Sequence, residues 1–226
     1  MKYCFFDLDG TLADTDGDIR EAWRKSLKEM GLECPTFDTD FVTGPPIEEM
    51  VKRLFPERFA ADAGAKPHCG EKLCAELRAM FGKHYDKDGF PMTHEYPGIM
   101  EIVAELRRRG DRVYIVTNKR YAGAMAIAGK FGWQEKFDGI YAGDMYKDDP
   151  AIGKLKKGDL LKVIMRQLNC RVCECIMIGD TISDFDAANE NGMVSIAVEW
   201  GYGTEEERKL ATCRVATPGE ILSRID

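Results

Sequence analysis

Two aspartates one residue apart, Asp7 and Asp9, close the short apolar run Tyr3-Cys4-Phe5-Phe6 and are followed at once by Gly10 and Thr11. Carboxylates this close are costly together unless a cation or a proton intervenes. Two further apolar runs end in polar groups of the same kind. Val113 to Val116 leads into Thr117, Asn118 and Lys119, and Ile176 to Ile178 leads into Gly179-Asp180-Thr181-Ile182-Ser183-Asp184. Asp-Leu-Asp-Gly-Thr alone also reads as a turn, because Asp and Gly are ordinary turn residues. Three such strand ends in one chain point instead to a shared site that handles charge.

The elements needed to position these groups are legible in the pattern. The apolar runs read as buried strands at Tyr3 to Phe6, Arg112 to Thr117, Gly139 to Ala142, Cys175 to Ile178 and Val194 to Val198. Between them, helical spacing marks Ile99, Ile102, Val103 and Leu106 up to Gly110, then Tyr121 to Phe131. It recurs at Leu160, Ile164 and Leu168, at Asp184 to Asn191 before Gly192, and in a short helix near Ile221. Strands alternating with helices predict an α/β fold, a doubly wound, mostly parallel sheet. In such sheets ligands bind at the carboxyl ends of the strands, which is where all three polar groups fall.

Between the first strand and this alternating part lies a stretch with helical periodicity and no convincing strand. Asp16 or Asp18 can cap a helix carrying Ile19, Trp23, Leu27 and Met30, stopped by Gly31. The Thr43-Gly44-Pro45-Pro46 loop precedes Ile47, Met50, Val51 and Leu54 on one face, ended by Pro56. Ala60 to Gly70 reads as a loop, and Leu73, Leu77, Met80 and Phe81 mark one more helix. The predicted division is a core of residues 1–13 and 87–226 with an inserted helical module of residues 14–86.

Composition narrows the function. A formal charge of −7 lacks the basic field of a general nucleic-acid or membrane-surface binder, while leaving an anionic small substrate open. No run approaches the roughly 18 apolar residues of a membrane span. No charged-then-apolar leader precedes Tyr3, and eight cysteines are scattered as in a reduced compartment, so a cytoplasmic protein is expected. Cys170, Cys173 and Cys175 form the one tight group, and with Cys69 or Cys74 could in principle ligate zinc, although the spacing is irregular. The Arg107-Arg108-Arg109 run falls in a last helical turn, where cations complement the dipole. His68, His84 and His94 show no ligand or nucleophile-base spacing. Neither monomer nor dimer is indicated.

Asp7-Leu8-Asp9-Gly10-Thr11, Thr117-Asn118 and Gly179-Asp180 to Asp184 resemble, in order and separation, the first, second and fourth motifs of the haloacid dehalogenase-like hydrolases. The resemblance covers essentially the whole chain and is nearest to the phosphoglycolate phosphatase-like members, whose helical cap is inserted after the first motif. It implies a Mg²⁺-dependent phosphatase acting on a small phosphorylated metabolite through an aspartyl-phosphate. Asp7 would be the nucleophile and Asp9 the acid and base. Thr117, with the main chain near Leu8 and Asn118, would bind the phosphoryl oxygens. The cation would be held by Asp7, the Asp9 carbonyl and Asp180, with Asp184 direct or through water.

The family also needs a lysine, often in a Lys-Pro pair that is missing here. Lys154, Lys156 and Lys157 are the candidates, and Lys157, standing nearest the helix start, is the one expected to fill the role. Asp9 argues against dehalogenases and phosphonoacetaldehyde hydrolases, which generally lack a second aspartate. A β-phosphoglucomutase-like mutase would be expected to carry an arginine in the cap loop, where this chain has Gly44-Pro45-Pro46-Ile47. That loop, Gly44 included, and the helix around Arg20 and Arg24 are the candidates for substrate choice. A non-catalytic binding protein on the same fold is the alternative from another class.

Overall fold

The computed structural model describes residues 1–59, 70–87 and 89–225. The expected loop from Ala60 to Gly70, with His68 and Cys69, lies outside the described residues except for Gly70, which begins a helix. The strands are β1 (Tyr3–Phe6), β2 (Ala13–Asp14), β3 (His94–Glu95), β4 (Arg112–Thr117), β5 (Gly139–Ala142), β6 (Cys175–Gly179), β7 (Val194–Val198) and β8 (Cys213–Val215). The helices of the first half are α1 (Asp16–Glu29), α2 (Phe37–Asp40), α3 (Ile47–Leu54) and α4 (Gly70–Tyr85). Those that follow are α5 (Ile99–Arg108), α6 (Tyr121–Phe131), α7 (Lys157–Leu168), α8 (Ile182–Glu190), α9 (Glu205–Arg208) and α10 (Leu222–Ile225). Among the described residues no helix is long and apolar enough to cross a membrane.

Six strands form one parallel sheet in the order β5-β4-β1-β6-β7-β8, with β1 central. Phe6 lies beside Ile115 of β4 on one side and Ile178 of β6 on the other. The Asp7 amide still donates to the Ile178 carbonyl at 2.9 Å before the chain turns away. Helices cover both faces, the arrangement that makes parallel strands continuously apolar. On one face Phe5, Tyr114, Val116 and Met177 pack with Leu160, Leu161 and Ile164 of α7 and Ala187 and Ala188 of α8. Phe6 points the other way and meets Phe137, ring centroids 6.3 Å apart, while Phe5 meets Tyr114 at 5.7 Å. Each fully buried ring contributes roughly 1.5–3 kcal/mol. A one-residue slip of β1 would exchange these contacts and turn Asp7 to the opposite face, so the aromatic pair fixes the carboxylate.

The chain divides into two compact units, Met1–Asp14 with His94–Asp226, and Thr15–Thr93. The expected boundaries differ because Asp14 pairs with His94 in the antiparallel β2–β3 ribbon and so stays with the sheet. Residues beyond 86 are tied to the helices instead. Asp18 is buried and accepts the Met92 amide at 3.1 Å and the Thr93 hydroxyl at 2.7 Å, and Tyr85 packs on Phe90. Asp18 therefore does not cap α1; Thr15 precedes the helix and Asp16 opens it. The core of this unit joins Trp23 and Leu27 of α1, Phe37 and Phe41, Met50, Val51 and Leu54 of α3, and Leu73 and Leu77 of α4.

Candidate active site

Two neighbouring strands, and the helix that follows the second, deliver carboxylates to one rim. β1 presents Asp7, β6 presents Asp180, and α8, which starts two residues after Asp180, presents Asp184. One carboxylate oxygen from each of Asp7, Asp180 and Asp184 lies within 4.8 Å of the others, and all three residues are buried. The Lys157 ammonium, at the first residue of α7, stands 2.9 Å from Asp7 and 2.5 Å from Asp184. Lys154 and Lys156 are exposed, so of the three candidate lysines Lys157 is the one that reaches the carboxylates.

The charges in this cluster oppose one another. Burial, reinforced by Asp184 and Asp9 and opposed by Lys157, pushes Asp7 up to about 7. Burial, then Asp184 and Asp7, holds Asp180 well above the usual carboxylate range. Burial by itself would lower Lys157, but Asp184 and Asp7 outweigh it and the ammonium is held above its ordinary value.

Asp180 is clamped on both oxygens. Thr11 Oγ1 donates to Oδ1 at 3.2 Å and the Tyr202 amide donates to Oδ2 at 2.7 Å. Gly10, at φ +80, lets the loop after Asp9 fold back against Asp180, a conformation that side chains disfavour. Asp184 serves the α8 capping box: its Oδ2 accepts the Asp180 and Thr181 amides at 3.2 and 3.1 Å, leaving Oδ1 to Lys157. Asp7 Oδ1 differs. It is buried, and although Lys157 is at ion-pair distance the ammonium lies off the hydrogen-bonding direction. A buried carboxylate oxygen without a well-aligned donor, beside two other buried carboxylates, fits a hard oxygen-seeking cation.

The remaining expected residues are placed as follows. The Asp9 carboxylate lies outside the three-carboxylate group and is held by Lys119 Nζ at 2.7 and 3.0 Å. Thr117 is buried at the end of β4, its hydroxyl accepting the Lys119 amide at 3.1 Å, and Leu8 is buried. Asn118 donates to Ser183 at 2.7 Å, joining the second strand end to the third. Gly44, at φ 120, belongs to the helical unit. Its neighbour Thr43 donates to Asp16 at 2.5 Å, and Asp16 also holds Arg20, which reaches the Phe41 carbonyl. Arg24 pairs with Asp38.

Lys119, at the second strand end, and the loop Trp200-Gly201-Tyr202-Gly203 also reach these groups, beyond the residues expected from the sequence. That loop follows β7, a further strand of the same sheet, and its two glycines beside two aromatics were the available signal. Trp200 Nε1 donates to the Thr11 carbonyl at 3.2 Å and Tyr202 hydroxyl to Asp14 at 2.9 Å. A Cβ on Gly201 or Gly203 would run into Asp180. Gly203→Ala is thus expected to cost about 1–3 kcal/mol, the usual range for overpacking, and to weaken cation binding. Urea denaturation and Mg²⁺ titration check this, and an unchanged variant would show that the loop does not seat Asp180.

The raised carboxylates also set a pH dependence. Asp7 titrates near 7 in the fold against about 3.9 when unfolded. Between these values the fold binds more protons than the unfolded chain, so stability without metal falls as pH rises from about 4 to about 7. Asp180 acts in the same direction. Glu105 and Glu174, lowered to about 2 by their arginine partners, lose stability only as pH falls below the ordinary glutamate range, outside this window. With a chelator present, the melting temperature is expected to drop between pH 5.5 and 8, and added Mg²⁺ to raise it more at pH 8. Equal Mg²⁺ shifts at both pH values would contradict a carboxylate site.

The family model for haloacid dehalogenase-like hydrolases matches residues 4–198. A phosphoglycolate phosphatase from Photobacterium profundum is 29% identical over 206 residues, covering 89% of this chain and 85% of that protein. Tyrosine-protein kinase PtkA from Mycobacterium tuberculosis is 30% identical over 88% of this chain, which spans 62% of the kinase's length. Among solved structures, a haloacid dehalogenase-like family hydrolase from Streptococcus pneumoniae superposes with a TM-score of 0.81 at 25% identity, covering 100% of this chain and 99% of its own. The chain belongs to the haloacid dehalogenase-like hydrolase family. Within it, the chain is an enzyme of the phosphatase class, hydrolysing phosphoric monoesters.

Proposed function

We propose that this enzyme hydrolyses a small phosphomonoester, of the kind a phosphoglycolate phosphatase takes, through a phosphoryl group carried on Asp7 with Mg²⁺ as cofactor. The observation that carries the reading is the cluster of Asp7, Asp180 and Asp184 around Lys157 at the rim of the sheet. Asp7, Asp180 and the Asp9 carbonyl would hold the ion, with Asp184 direct or through water, and the ion would neutralise charge shared by the carboxylates and the phosphate.

An Asp7 oxygen attacks phosphorus as the bond to the leaving oxygen breaks, and Asp9 gives that oxygen its proton. Asp9, now a carboxylate, takes a proton from water. The water oxygen attacks the same phosphorus, the Asp7–phosphorus bond breaks, and inorganic phosphate leaves. Lys157 offsets the charge on Asp7 and the phosphoryl group, while Thr117 and the amides near Leu8 and Asn118 bind the phosphoryl oxygens, where charge stabilisation does most of the catalysis. Lys119 orients Asp9 for both proton transfers. The helical unit, residues 15–93, acts as the cap, with the loop at Gly44 braced through Asp16 and Arg20 as the part that selects the leaving group.

The seven cysteines among the described residues are free thiols, in keeping with a cytoplasmic setting. The test is release of inorganic phosphate from a panel of small phosphomonoesters with Mg²⁺ and with excess chelator. Metal-dependent release from at least one member is expected, and none from any member would overturn the reading.

A further inference from the structure

Far from the carboxylates, the end of α7 and the start of β6 bring two thiols together. Cys170 follows the last turn of α7 and Cys175 opens β6, and Cys175 Sγ donates to Cys170 Sγ across 3.4 Å. α7 has 12 residues, about 18 Å of helix, so this pair and Lys157 sit at its opposite ends. The two cysteines differ in exposure. Cys175 is buried, its thiol also directed at the Arg171 carbonyl at 3.2 Å, whereas Cys170 is half-buried. Cys170 lines an open surface cavity of about 300 Å³, together with Lys162 and Arg166. Cys173, between them in sequence, is exposed. Among the described residues the one group of His, Cys, Asp and Glu placed to share a metal is the aspartate cluster, so these cysteines make a two-thiol site.

We propose that Cys170 and Cys175 are a redox pair that closes to a disulfide when hydrogen peroxide reaches Cys170 from the cavity. Cys170 sulfur attacks the peroxide, the O–O bond breaks, and a sulfenic acid and water form. Cys175 sulfur then attacks Cys170 sulfur and expels the hydroxyl, which leaves as water with the Cys175 proton. Two thiols and one hydrogen peroxide thus give one disulfide and two waters. Cys170 opens onto the cavity while Cys175 is buried behind it, which gives the first attack to Cys170 and leaves Cys175, 3.4 Å away, as the resolving thiol. The bond would staple the elements that carry Lys157 and Asp180 at their far ends.

The test is peptide mapping of the folded protein exposed to hydrogen peroxide, acid-quenched, and alkylated under denaturing conditions. A Cys170–Cys175 link reversed by dithiothreitol is expected, in the native chain and in Cys173→Ser alike. In Cys175→Ser, Cys170 is expected to accumulate as a sulfenic acid trapped by dimedone. A link between Cys170 and Cys173, or oxidation of Cys173 while Cys170 and Cys175 both still alkylate, would overturn the pair. Should Cys175→Ser fail to fold, mapping of Cys173→Ser decides alone.

Discussion

Asp7→Asn is expected to lower phosphate release by on the order of 10⁴-fold or more while leaving the fold intact, since removal of a nucleophile costs losses of this size or larger. The fold should survive because Asp7 is pushed up to about 7 by burial first and by Asp184 and Asp9 next. Relative to the unfolded chain, the fold thus shifts Asp7 toward the uncharged form, which asparagine copies in shape. At pH 8, without metal, the variant should melt no lower than the parent, because it no longer buries that charge. Mg²⁺ should stabilise it less than the parent. Turnover within tenfold of the parent would remove Asp7 from the chemistry.

Lys157→Met is expected to show the opposite balance, losing both activity and stability. The ammonium is buried between Asp7 and Asp184. Removing one partner of such a group leaves uncompensated buried charge, typically worth about 3–5 kcal/mol. Urea denaturation at pH 8 should register a loss of this size, and Mg²⁺ should recover part of it by supplying positive charge beside the same carboxylates. Lys157→Arg is not expected to substitute, because a planar guanidinium cannot take the place of a compact ammonium in a filled site. A variant within about 1 kcal/mol of the parent would show that the contacts with Asp7 and Asp184 carry little energy.

Much of the sheet was legible because parallel strands with both faces covered are almost continuously apolar. Arg112–Thr117, Gly139–Ala142 and Val194–Val198 appear at the predicted bounds, and the helix over Tyr121–Phe131 does too. What stayed hidden was short or polar. The edge strand β8 has three residues with Arg214 in the middle, and its pairing with β7 comes from register with Ile196 to Val198 rather than from a pattern of its own. β2 and β3 have two residues each, and their pairing moves the unit boundaries. α8 starts at Ile182 rather than Asp184 because Thr181 and Asp184 form a capping box.

In the site, the residue types named the carboxylates, since acids at strand ends are unusual enough to read. Partners contributed by distant segments could not be read. The Lys119–Asp9 pair spans 110 positions, and the Tyr202 amide on Asp180 is a main-chain group with no sequence signature. Lys157 is expected from its closeness to the helix start, but only burial separates it from Lys154 and Lys156, because one residue along a helix start decides whether a side chain faces a site or solvent.

The most direct measurement is to locate the phosphoryl group during turnover. A turned-over phosphorylated substrate, labelled on phosphorus and acid-quenched within the first milliseconds, should leave label on the protein. That label should be released by hydroxylamine and should map to the peptide containing Asp7. Label on another residue, or rapid phosphate release with none on the protein at any quench time, would contradict a phosphoryl group carried by Asp7.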